Sequence, residues 1–321
     1  MKIWKYSRWD VLMLMMSLSQ FVVTIWLAVQ WGEASWGAWI LNVMLLVLMT
    51  TYNIIVISHF FTHTPWFSSA ALNAAVSVLN SINIGQSVQA YHLTHVRNHH
   101  RYNNDQGKQT QPPQDTSSTY LEGENGEHIS LMSYTVRGAL GTWWRSWVAC
   151  GKALCFWKCH SEAVEPALYY SRSEAASARE RAQLRWDRVA QGAILILLLF
   201  LAWDWVLLCY LPSLYLAFVL VNVQNYYEHY GANPDDRFAN SVSYYGRFYN
   251  FMAFNDGYHQ EHHLAPSVHW RKLPQTHLQY ARQLTEHPRI VSPVPAIVGF
   301  LHRQRPLLHT RIDTGYVLQS D

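Results

Sequence analysis

Two stretches near the start of the chain, 11–31 and 37–58, contain no charged side chain. Each is long enough for the roughly 20 apolar residues a helix needs to cross a bilayer. The first is too long for a cleavable signal peptide, and a second span follows it directly. A second apolar pair covers 193–211 and 212–228, with Pro212 expected to break the helix between them and Asp204 as the charge in its apolar part. Asp204 sits in a Trp-Asp-Trp context, which suits the far interface, where Trp belts gather. The sequence therefore predicts an all-α integral membrane protein with four transmembrane helices in two hairpins.

Composition agrees. Charged residues make up 14% of the 321 positions, against about 25% in a soluble domain. Net charge is +3, too small to point to nucleic acid. Cys150, Cys155, Cys159 and Cys209 do not make a disulfide framework. Lys2, Lys5 and Arg8 precede the first span, and Lys and Arg are frequent in 65–191 and in the tail but absent from the hairpin tips. The positive-inside rule then puts both termini and a helical cap, 64–190 and 229–321, in the cytoplasm of a bacterial-type inner membrane. The chain reads as one domain over 1–321.

Within the cap, 69–89 is small, apolar and uncharged, either a shallow span or a helix lying on the membrane. The Gln-, Pro-, Thr- and Gly-rich 106–125 reads as a loop. Four Trp in 141–157 mark an interfacial segment, and 173–188 reads as a charged, solvated helix.

Seventeen histidines are the compositional outlier. His59 and His63 stand at i and i+4, on one face of a helix at the cytoplasmic end of the second span. His92, His95, His99 and His100 follow in YHLTHVRNHH, His229 closes NYYEH, and His259, His262 and His263 form HQEHH. All are predicted at one membrane face. Imidazoles crowded together repel when protonated and compete for donors when neutral. A metal removes that cost by taking the lone pairs. The number of imidazoles exceeds what one ion takes, so two ions fit the count. Imidazole suits Fe, Zn, Cu and Ni alike, so the donors leave the metal open.

At these residues the sequence resembles the membrane fatty acid desaturase superfamily, which also includes alkane hydroxylases and carotenoid ketolases. Its three histidine boxes match His59/His63, His95/His99/His100 and His259/His262/His263. Its additional histidine, with an asparagine four residues earlier, matches His229 and Asn225. The resemblance implies that these nine histidines bind two irons and that Asn225 holds an iron-bound water. Phe60 stands where many relatives carry an acid, so Asp256 or Glu261 is expected to supply the supporting carboxylate. His95 rather than His92 is taken to open the second box. NYYEHYG resembles the alkane hydroxylases and ketolases, and NDGYHQEHHLAP the acyl desaturases.

The implied activity is O2-dependent oxidation of a fatty acyl or other lipid chain, with desaturation leading. Hydroxylation, ketolation and alkene-forming decarboxylation are the alternatives within the superfamily, and a non-enzymatic metal transporter lies outside it. No HPGG haem motif or GxGxxG is present, so a separate electron donor such as ferredoxin is implied. A basic face including Arg97, Arg101 and Arg271 is the expected dock. His128, His160, His269, His277, His287, His302 and His309 are read as structural, as is the CFWKCH segment with Cys155, Cys159 and His160.

Overall fold

Uncharged runs rich in Leu, Val, Ile and Met fold as helices because a helix satisfies every internal backbone donor by itself. In the computed structural model, which describes residues 2–32, 35–107, 111–120, 126–155 and 174–313, helices dominate. In chain order they are α1 (Asp10–Val29), α2 (Trp36–Tyr52), α3 (His59–His63), α4 (Ala70–Ile84), α5 (Val88–Tyr91), α6 (His100–Tyr102), α7 (Gly138–Leu154), α8 (Glu174–Trp205) and α9 (Leu211–His229). The short α10 (Arg247–Met252), α11 (His259–Leu264), α12 (Leu273–Gln279) and α13 (Ala281–Glu286) come after them. A two-stranded parallel sheet, absent from the all-α expectation, pairs β1 (Val242–Ser243) with β2 (Ile290–Val291). Two compact units divide the chain: Met1–Asn98 with Met132–Asn222, and His99–Leu131 with Val223–Asp321.

Among the described residues three helical runs are long and apolar enough to cross a membrane: Asp10–Val29, Trp36–His63 and Ala176–His229. The third contains both members of the second predicted pair. Pro212 does not interrupt it. It lies at the second position of α9, directly after the π-helical Val206–Tyr210, a local widening of the kind that accompanies an interrupted hydrogen-bond ladder. The irregularity falls earlier, at Ala202 (φ −160°, ψ 77°) and in the π-helical Val206–Tyr210. Asp204 accepts a hydrogen bond from Trp31 Nε1 at 2.9 Å. Outward side chains such as Val22, Leu48 and Phe200 are 61%, 61% and 86% exposed, an apolar surface that suits lipid and not water.

The interior of the first unit is cross-bonded by polar side chains. Ser17 donates to Asn80 Oδ1 at 2.7 Å, Asn83 donates to the Ser17 carbonyl at 2.9 Å, and Gln20 donates to the Asn83 carbonyl at 3.0 Å. Asn53 donates to Gln20 Oε1 at 2.8 Å and Ser58 to Asn53 Oδ1 at 2.7 Å. These bonds tie α1, α2 and α4 together and reach the residue before His59. Polar side chains glue apolar helices where lipid gives no driving force for packing.

The 69–89 segment is a 15-residue helix, α4, too short to span. Ser69 caps it by accepting from the Leu72 N–H, and Gly85 ends it in the left-handed region (φ 67°). Buried Asp187 on α8 orients the chain beyond Gly85. Its carboxylate accepts from Ser77 Oγ, Ser87 Oγ, the Gln89 N–H and Gln183 Nε2 at 2.7–3.1 Å. The start of α5, which leads into the second histidine box, is thereby pinned to α8.

Candidate metal centre

In the first unit α2 widens into a π-helical stretch, Asn53–Ser58, before α3. Such insertions re-aim the side chains beyond them. The rings of His59 and His63 lie 5.2 Å apart, and His95 packs 4.7 Å from the first and 5.1 Å from the second. Their ligating nitrogens fall within 4.8 Å of one another. His59 Nδ1 donates to the Ile55 carbonyl at 3.1 Å. His92 is engaged elsewhere: its Nδ1 donates to the Thr62 carbonyl at 3.1 Å, and burial holds its pKa below the ordinary value. Arg97, expected on the docking face, is matched within this unit by the carboxylate of Glu180.

The second unit holds the other six. His99, His229, His259 and His263 are buried, and one nitrogen of each lies within 4.8 Å of the others. His229 Nε2 and His259 Nε2 stand 3.4 Å apart. The opposite nitrogen of three of these rings is anchored. His99 Nδ1 meets Asp115 Oδ2 at 2.7 Å, His229 Nδ1 donates to the Asn240 carbonyl at 3.1 Å, and His263 Nδ1 donates to Asn103 Oδ1 at 2.9 Å. His259 Nδ1 faces Glu228 Oε1 at 3.5 Å. His263 Nε2 is buried with no hydrogen-bond partner among the described residues. Burial, with the neighbouring histidines, pushes the His263 pKa well down, so at neutral pH the ring is an uncharged donor. His100 and His262 form a second pair, rings 4.6 Å apart and edge to face.

A set of buried imidazoles, three of them steered by a hydrogen bond to the far nitrogen, is what a first-row divalent cation requires. The residues therefore fit a metal. Two anchors come from the turn after α6, where Asn103 (φ 51°) and Asn104 (φ 61°) are both left-handed. Asn tolerates that region better than other non-glycine residues. The Asn104 N–H donates to Asp115 Oδ2 at 2.8 Å, and Ser117 donates to Asp115 Oδ1 through both its N–H and its hydroxyl, each at 2.8 Å. Asn225, one turn before His229 on α9, donates to the Ser117 carbonyl at 3.4 Å.

The carboxylates that meet candidate ligands are thus Asp115 and Glu228. Glu261 is taken by Ser243 Oγ, Tyr245 OH and His277 Nδ1 at 3.0, 2.6 and 2.6 Å. Asp256 accepts from Tyr249 OH at 2.8 Å and from Gln224 at 3.0 Å, and the same Gln224 amide donates to Glu228 at 2.7 Å. The sequence pattern around Asp115 reads only as a loop, and its one clue is the run of small polar residues that can cap a carboxylate. Cys159 and His160 of the CFWKCH segment lie outside the described residues.

Comparison with curated proteins finds no match, and neither does comparison with solved structures. The family model for fatty acid desaturases matches residues 34–294, a stretch that includes all nine histidines and Asn225. The chain belongs to the fatty acid desaturase family.

Proposed function

We propose that this protein is an O2-dependent di-iron oxidase of a fatty acyl or related lipid chain, with desaturation its leading outcome. The observation that carries the reading is the buried group His99, His229, His259 and His263, whose nitrogens converge within 4.8 Å. Family membership points to a lipid substrate. The nine histidines serve as ligands to two irons in one desaturase-like domain, and Asn225 is a positioning residue beside His229. Bound there, the irons supply reduction of O2 and removal of hydrogen from an unactivated C–H bond, chemistry that no side chain provides.

The chain's own residues do the rest. Asp115, Asn240 and Asn103 hold three rings in the tautomer that offers Nε2. Burial excludes water from the centre. The electrons come from a separate carrier such as ferredoxin. Four spans, with both termini and the centre on the cytoplasmic side, complete the reading. An active C-terminal alkaline phosphatase fusion in the periplasm would refute that orientation.

The decisive experiment feeds deuterated fatty acid to cells expressing the protein and analyses products by mass spectrometry, with His262→Ala as control. An internal double bond with carbon count kept supports desaturation. An added oxygen supports hydroxylation, and a product one carbon shorter supports decarboxylation. Equal product without O2 overturns the oxidase reading.

A further inference from the structure

In the second unit the short α10 (Arg247–Met252) is patterned inside out. Its inward face is polar: Tyr249 OH donates to Asp256 Oδ2 at 2.8 Å, and Asn250 Nδ2 donates to the Tyr244 and Gly246 carbonyls at 2.9 and 3.0 Å. Its outward face is apolar. Phe248 and Phe251 are each 80% exposed, and Met252 is 48% exposed. These positions, at i, i+3 and i+4, share one side of a helix. A surface helix facing water carries the opposite pattern. The segment does have somewhere to bury a ring: Phe254, just beyond α10, is 8% exposed and meets the Trp270 ring edge to face at 4.9 Å.

Continuity and charge say what covers this face. Residues 223–229, the end of the long apolar run Ala176–His229, belong to the same unit as α10. The unit therefore starts directly from a helix able to cross a bilayer, with no linker between. The stretch 237–255 contains Arg237 and Arg247 and no acid, and Arg247 is exposed at the start of α10. Exposed Arg271 and Lys272 follow Trp270, whose carbonyl accepts from Asn255 Nδ2 at 3.2 Å and whose ring packs on Phe254. Outward aromatic rings with cations beside them match a bilayer boundary, where the rings reach the acyl chains and the cations meet anionic headgroups.

We propose that α10 lies in the boundary layer of the bilayer, with Phe248, Phe251 and Met252 turned into the lipid and Arg247, Arg271 and Lys272 on anionic headgroups. The anchoring reaches the candidate centre through hydrogen bonds. Tyr249 holds Asp256, Gln224 Nε2 donates to Asp256 Oδ2 at 3.0 Å and to Glu228 Oε1 at 2.7 Å, and Glu228 faces His259. Lipid contact thus sets the depth of the unit in which the four buried histidines converge. This rests on the membrane reading of the chain and adds to it a lipid contact made outside the spans.

The test puts benzoylphenylalanine, a photoreactive residue that inserts into nearby C–H bonds, in place of Phe248 or Phe251. The full-length protein is placed in vesicles of phosphatidylethanolamine and phosphatidylglycerol and illuminated, and mass spectrometry of its peptides reads the lipid adduct. Two other positions calibrate the readout. Phe200 in α8 is 86% exposed in an apolar run. Arg282 in α13 has a side chain 86% exposed and paired with Glu286 at 2.7 Å, a pattern that suits water. Adduct at 248 and 251 should exceed that at 282 by about tenfold or more, the ratio expected when a phenylalanine side chain leaves water. Adduct at 200 with none at 248 or 251 overturns the proposal and leaves the spans standing. Equal adduct at 248, 251 and 282 overturns it too, as does a crosslink from 248 or 251 to a second protein chain in place of lipid. No adduct at any of the four positions overturns both the proposal and the membrane reading beneath it.

Discussion

Asp115 Oδ2 lies 2.7 Å from His99 Nδ1, with both side chains buried. The carboxylate fixes the imidazole so that Nε2 turns toward His229 and His263. His99 in turn depresses the Asp115 pKa against the opposing effect of burial. Asp115→Asn removes the charge while keeping the shape. Metal affinity, read by chelator competition, should fall about ten- to a hundredfold, with helix content retained. Unchanged affinity would show that Asp115 supports only its own loop.

Purified protein should carry two irons per chain by elemental analysis. His99→Ala, His229→Ala and His262→Ala should each abolish lipid oxidation and leave membrane insertion intact. Zinc alone at one per chain, with activity retained, contradicts the assignment.

His128 supplies a pH prediction. Its Nε2 accepts from the Gly231 N–H at 2.9 Å, and burial pushes its pKa down from 6.5 to about 3. The folded protein then holds this ring neutral while the unfolded chain protonates it. Stability is full above pH 6.5 and is lost as pH falls toward 3, at no more than about 1.4 kcal/mol per pH unit from this group. Unfolding of metal-free protein should show the loss, and His128→Gln should show less of it over the same window. Equal losses in the two proteins would falsify the assignment.

Two glycines should respond in opposite directions. Gly231→Ala forces a Cβ against the Pro306 carbonyl at a left-handed position and should cost about 1–3 kcal/mol. Gly151 in α7 has open space around its Cβ position, so Gly151→Ala should be neutral or stabilise by about 0.5–1 kcal/mol. Thermal unfolding of the two variants side by side checks both.

The parts legible in the sequence are those with a period or a doublet. Uncharged runs announce spans, and His59/His63, His99/His100 and His262/His263 announce themselves by spacing. The irregularity at Ala202 is hidden, because alanine is the strongest helix former and sits in an apolar run. Pro212 misleads for the opposite reason: a helix breaker is accommodated where a π-helical turn, Val206–Tyr210, runs directly into the helix that carries it. Asp115 is invisible because its partner is 16 residues away across a loop with no periodicity. Asp256 and Glu261 stand closer in sequence to the third box, yet Tyr249 and His277 claim them.

The two doublets carry a last consequence. His99 faces His229 and His263, and its neighbour His100 faces His262 and His263. Members of a doublet are one peptide bond apart, about 3.8 Å between Cα atoms. Each doublet is therefore a ruler of fixed length laid across the centre. Any two ions these doublets would hold are thereby tied to backbone positions one residue apart.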